Sequence, residues 1–128
     1  MKFVSFKGAR GEDWGVLTDK GVVPSEALGQ GLPGTLAGFI AACSQQGGLL
    51  ASVRDRAATA AAVPLASVQQ LPCVPNPGKI ICLGVNYVDH AKEGGNTVAD
   101  YPAVFLRCAT SLLAHGAPMK VPAISSKL

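Results

Sequence analysis

His90 and Glu93 stand three residues apart in "KIICLGVNYVDHAKEGG", residues 79–95. On a helical turn, positions i and i+3 share a face, so an imidazole and a carboxylate at this spacing can meet. The carboxylate orients the ring and stabilises its protonated form, and the pair can draw a proton from a water held between them. That is general-base chemistry. The same spacing is common on solvated helix faces, where it contributes a few tenths of a kcal/mol and no catalysis. Spacing alone therefore leaves both readings open. Lys92 points elsewhere on the turn, toward solvent. The glycines after Glu93 allow a mobile loop, a lid that could close over a substrate. Cys82, in an apolar run, reads as packing rather than as a nucleophile. His115, in "LLAHGAP", reads as a loop histidine.

The elements that must carry this turn follow from periodicity. "KIICLG" (79–84) is a continuous apolar run with β-branched residues, which predicts a buried strand ended by Gly84. "NYVDHAKEG" (86–94) predicts a short helix with Asn86 as N-cap and Gly94 as stop. A polar loop, "GNTVADYPA", leads to a strand in "AVFLRCA" (103–109), and "MKVP" (119–122) could be one more. Upstream, "FVSFK" (3–7), "WGVLT" (14–18) and "VVP" (22–24) predict a small antiparallel sheet, with Asp19-Lys20-Gly21 as a hairpin turn. "TLAGFIAACSQQG" (35–47) predicts a helix capped by Thr35, with Leu36, Phe39, Ile40 and Cys43 on its apolar face. "LLASVRDRAATAAA" (49–62) predicts a second, with Leu49, Leu50, Val53 and Ala57 inward and Arg54, Asp55 and Arg56 solvated. Pro64, Pro72, Pro75 and Pro77 make residues 63–78 an extended connector, because proline cannot donate to a sheet ladder. The fold class is α+β: a small N-terminal α+β domain over residues 1–71, then a second domain from residue 72.

Composition narrows the function classes. The 128 residues are 48% hydrophobic, enough for a packed core. Eleven Lys plus Arg oppose eight Asp plus Glu, for a net charge of +3, and aromatics are 5%. The basic stripe with stacking rings that nucleic-acid binders carry is missing, so no nucleic-acid partner is expected. No apolar run approaches the ~18 residues of a membrane span, so no membrane partner is expected either. The start lacks a signal-peptide stretch, and the cysteines at 43, 73, 82 and 108 match no zinc spacing. Free thiols in the cytoplasm are the expectation. Ser126-Lys127-Leu128 would be a peroxisomal address at a true C-terminus, and nothing else in the sequence supports it.

Order and spacing together carry a resemblance. The elements are an apolar strand ending in Gly84, then Asn86-Tyr87, Asp89-His90 and Glu93. Pro102-Ala103-Val104-Phe105, Thr110-Ser111-Leu112 and Val121-Pro122 follow. Residues 77–122 thereby resemble the fumarylacetoacetate hydrolase family, and residues 1–71 are similar in outline to the small domain that precedes the catalytic domain in many bacterial members. The resemblance implies a catalytic domain built as a mixed β-sheet roll, a homodimer in the complete form, and a divalent metal, Mg²⁺ (or Mn²⁺ or Ca²⁺). It implies small 2-oxo or β-diketone acids as substrates, the chemistry of aromatic catabolism, with C–C hydrolysis, decarboxylation or isomerisation as the reaction. His90 and Glu93 carry over as the water-activating dyad. Asn86, Tyr87 and Arg107 are the candidate substrate-binding or lid residues.

Two departures accompany the resemblance. Arg107-Cys108 stands where Lys-Pro is usual, keeping the charge and losing the proline. The family's metal carboxylates follow the Val-Pro segment, so the ligands are expected beyond Leu128, with none in this chain. The 72–128 domain is then the incomplete beginning of the roll, and the 128-residue chain alone is expected to be inactive and without metal. The alternative is a truncated non-catalytic interaction or regulatory module derived from that family. A third possibility is an unrelated small structural domain.

Overall fold

The computed structural model describes residues 1–9, 11–84, 86–97 and 100–125. The C-terminal tripeptide of the possible peroxisomal address lies outside them. Two compact units emerge: Met1–Pro75 together with the residues from Leu113 onward, and Asn76–Leu112. Helices and antiparallel sheets are both present, and the fold is α+β.

In the first unit, β1 (Lys2–Gly8) pairs antiparallel with β2 (Gly11–Thr18), and β2 with β3 (Gly21–Pro24). The β2–β3 turn is the expected Asp19-Lys20 hairpin, closed by Thr18 opposite Gly21. Alternation sorts the side chains onto two faces. Trp14, Val16 and Val23 join Leu28, Leu36, Phe39, Val53 and Ala57 in one core. Val4, Phe6 and Val22 form a second, covered by Leu17, Leu65 and Val68. The helices over the first face are α1 (Ser25–Leu28), α2 (Leu36–Gln45) and α3 (Leu49–Ala57). The Trp14 ring stacks on Phe39, centroids 4.3 Å apart, and its indole N–H donates to the Pro33 carbonyl at 2.7 Å. Burial thus leaves this large ring with its one donor satisfied.

Thr35 caps α2 as expected, its hydroxyl accepting from the Gly38 N–H at 3.1 Å. Ile40 and Leu50, expected inward, are exposed. At ~100° per residue they lie at the margins of the arcs centred on Leu36, Phe39 and Cys43, and on Leu49, Val53 and Ala57. Arg56 is not simply solvated: its guanidinium donates to the Leu28 carbonyl at 2.9 Å and satisfies the end of α1. The proline-rich stretch is no plain connector. Val63 bridges Val22 through two hydrogen bonds of 2.8 Å, Leu65–Ser67 forms a 3₁₀ turn, and β4 (Gln69–Gln70) becomes the fourth strand, giving the order β3-β2-β1-β4. Between Pro64 and Pro72 the Ser67, Val68 and Leu71 N–H groups donate, the last to the Ser5 carbonyl at 2.8 Å.

The second unit is smaller. β5 (Ile80–Gly84) pairs antiparallel with β6 (Ala103–Arg107), and α4 (Val88–Glu93) lies between them in sequence. The expected buried strand at "KIICLG" is corrected: Ile81 is 62% exposed and Leu83 51%. Their cross-strand partners, Leu106 and Val104, are exposed as well, so these four side chains share one open face of the two-stranded sheet. "MKVP" forms no strand. No helix among the described residues is long and apolar enough to cross a membrane.

Candidate functional site

The six residues of α4 carry the candidate dyad. Ala91 is buried and anchors the helix. His90 and Glu93 lie ~60° apart on the helix, turned away from the Ala91 side, by the geometry of 3.6 residues per turn. The imidazole Nδ1 is 3.8 Å from the Glu93 Oε2, and the side chains are 70% and 79% exposed. This is ion-pair distance, longer than a hydrogen bond. Nδ1 faces the carboxylate, so Nε2 is the ring nitrogen left for another molecule.

Asn86 does not cap α4, contrary to expectation. Tyr87 occupies the N-cap position with extended backbone (φ −111°), and no side chain accepts from the first turn. A phenol cannot fold back as a short carboxamide can, and Asp89 in the first turn supplies the favourable charge instead. Asn86 and Tyr87 are both exposed beside the helix. Arg107 lies apart in the register. Gly84, which leads toward α4, pairs with Ala103, whereas Arg107 pairs with Ile80 at the other end of the hairpin. Four strand steps, ~13 Å, separate the two ends. No ion pair joins Arg107 to the dyad among the described residues.

The end of α4 holds residues that periodicity missed. Asn96 N–H donates to the Ala91 carbonyl at 2.8 Å, Gly95 N–H to Lys92 at 3.1 Å, and Gly94 N–H to His90 at 3.2 Å. Gly95 has φ +67°. This is a Schellman cap, with Gly95 as its left-handed residue. The Asn96 side-chain N–H donates to the Gly94 carbonyl at 3.1 Å. The signal was present in Gly-Gly-Asn directly after the last helical residue. The loop expected to be mobile, 94–100, begins with this cap; Val98 and Ala99 within it lie outside the described residues.

Among the described residues, no three His, Cys, Asp or Glu side chains gather as a metal ion would require.

Residues 79–128 match the family described as fumarylacetoacetate (FAA) hydrolase C-terminal. Human mitochondrial oxaloacetate tautomerase FAHD2A is 34% identical over 119 residues, 88% of this chain and 37% of that protein. Its rat counterpart, Fahd2a, is 33% identical over 95 residues, 73% of this chain and 29% of that protein. Oxaloacetate tautomerase FAHD1 of Arabidopsis thaliana is 46% identical over 44 residues, 34% of this chain and 20% of that protein. The chain spans about a third of the length of its human relative. The residues that hold the dyad turn fall inside the family match, and the longest of these alignments takes in most of the first unit as well: the chain belongs to the fumarylacetoacetate hydrolase family.

Proposed function

We propose that these residues serve an enzyme acting on small 2-oxo acids, with oxaloacetate as the first substrate to test and His90 and Glu93 as its proton-handling pair. The observation that carries the reading is the dyad geometry, a ring Nδ1 3.8 Å from a carboxylate, within the stretch that matches the family. The oxaloacetate tautomerases among the relatives supply the substrate class.

Keto–enol interconversion moves one proton. A base takes it from the carbon next to the carbonyl, and the carbonyl oxygen gains a proton, so the net composition is unchanged. His90 Nε2 is the outward nitrogen that can accept the proton, and the Glu93 carboxylate stabilises the imidazolium so formed. The same pair would activate water where the reaction is hydrolysis. Asn86 and Tyr87, exposed next to α4, are the residues proposed to contact the substrate. A divalent metal is proposed for the complete enzyme, where it would polarise the substrate carbonyl. A homodimer is likewise proposed for the complete form.

The test uses the complete gene product and follows enol-to-keto conversion of oxaloacetate. His90→Ala and Glu93→Ala should each lower turnover by about 10²- to 10⁴-fold, the range for a removed acid–base group. Wild-type turnover left intact by His90→Ala would overturn the dyad. Absence of turnover on any 2-oxo acid by the wild type would favour the non-catalytic module.

A further inference from the structure

The two glycines after Glu93 do different work. Gly95 takes φ +67°, and a Cβ there would meet nothing within 4 Å. Its requirement is therefore conformational alone, since left-handed backbone penalises L-residues other than Gly and, to a lesser degree, Asn. Gly94 has an ordinary φ of −84°. A Cβ there would come within 2.7 Å of the Asn96 side-chain nitrogen. A Cβ at 94 would displace the end of that carboxamide from its bond to the Gly94 carbonyl, a side-chain shift rather than a backbone strain.

We propose that Gly94, Gly95 and Asn96 form a positioning clasp that sets the separation of His90 and Glu93. This rests on the dyad reading above. α4 has only six residues, no side-chain cap at its start and one buried anchor, Ala91. An isolated helix this short does not hold itself. The clasp ties the carbonyls of His90, Ala91 and Lys92, which belong to the turn that spans the dyad. Glu93 is the last helical residue, so a frayed final turn would release its carboxylate from the imidazole first. Gly95 and Asn96 act through Glu93 and are positioning residues rather than catalytic ones.

The experiment is solution NMR on the 128-residue chain. It compares wild type, Gly95→Ala, Gly95→Asn, Gly94→Ala and Asn96→Ala. Trp14 fluorescence verifies independently that the first unit is folded in each. Two quantities are read: exchange protection of the Gly95 and Asn96 amides, and the nuclear Overhauser contact between the His90 ring and the Glu93 methylenes. Gly95→Ala should lower protection on the order of tenfold and weaken the ring contact. Gly95→Asn, which tolerates the left-handed region, should restore both. Gly94→Ala and Asn96→Ala should weaken the contact to a smaller extent. A cap that only stabilised the helix would lose protection and leave the ring contact unchanged, and that outcome overturns the proposal. An unaltered contact in Gly95→Ala, or no rescue by Gly95→Asn, overturns it too. Failure of the dyad itself is seen separately, as full turnover by Glu93→Ala in the complete gene product while the clasp signals persist.

Discussion

Trp14 and Ile81 both sit mid-strand in apolar stretches, yet Trp14 is fully buried and Ile81 is 62% exposed. The difference lies in what covers each strand. β2 has helices on one face and the Leu65–Val68 segment toward the other, so both cores close over it. β5 pairs with β6, and Ala91 is the one apolar residue fully buried among the described residues of that unit. A lone two-stranded hairpin is marginal in water. The residues that could do chemistry therefore stand on the lightly packed unit, and the packing that resists unfolding is in the other. That division gives the clasp at the end of α4 its importance, because few buried contacts assist it.

The sharpest way to break the comparison is Trp14→Ala. It removes the stack on Phe39 and leaves the Pro33 carbonyl without its donor. A loss of about 3–5 kcal/mol is expected for a buried aromatic truncated to Ala. Urea unfolding followed by far-ultraviolet circular dichroism reads it. A loss under ~1 kcal/mol would mean that the first unit is not organised around this ring. Thr35→Ala is next. It deletes the hydroxyl that accepts from Gly38 N–H, and caps of this kind are worth about 1 kcal/mol. The chain has one tryptophan, so its fluorescence reports this unit directly. An unchanged urea midpoint would show that the cap bond contributes nothing to α2.

How legible each unit was follows the same division. The hairpin, the Thr35 cap and the core positions Leu36, Phe39, Val53 and Ala57 were readable because local turn chemistry, capping and period agree with the packing. Ile40 and Leu50 were misplaced because periodicity gives a helix face but not its width. β4 was hidden among prolines, since two glutamines make a strand only where β1 offers an edge. "KIICLG" misled for the opposite reason: an apolar run records that a strand can be buried, not that something lies over it. The His90–Glu93 spacing was legible, because residues i and i+3 share a helix face. The separation of Arg107 from Gly84 was not, because it depends on strand register, which no local pattern in residues 95–102 fixes.

The smallest effect tests whether the exposed face of β5 and β6 is open. Ile81→Ala removes a side chain that is mostly in water, next to Leu83, Val104 and Leu106 on the same open face. Surface truncations of this kind stay within about 0.5 kcal/mol. The readout is the opening free energy of the β5 amides by hydrogen exchange, which senses this hairpin without the larger core. Trp14 fluorescence should not move at all. A change of ~2 kcal/mol or more in β5 would be the value for a buried aliphatic residue, and would mean that this face is covered in solution. Because apolar side chains on both strands share that face, a covered face would show the same increase at Leu106→Ala. Equal small effects at both positions would instead leave the hairpin as an open platform, with the dyad turn held by its own clasp.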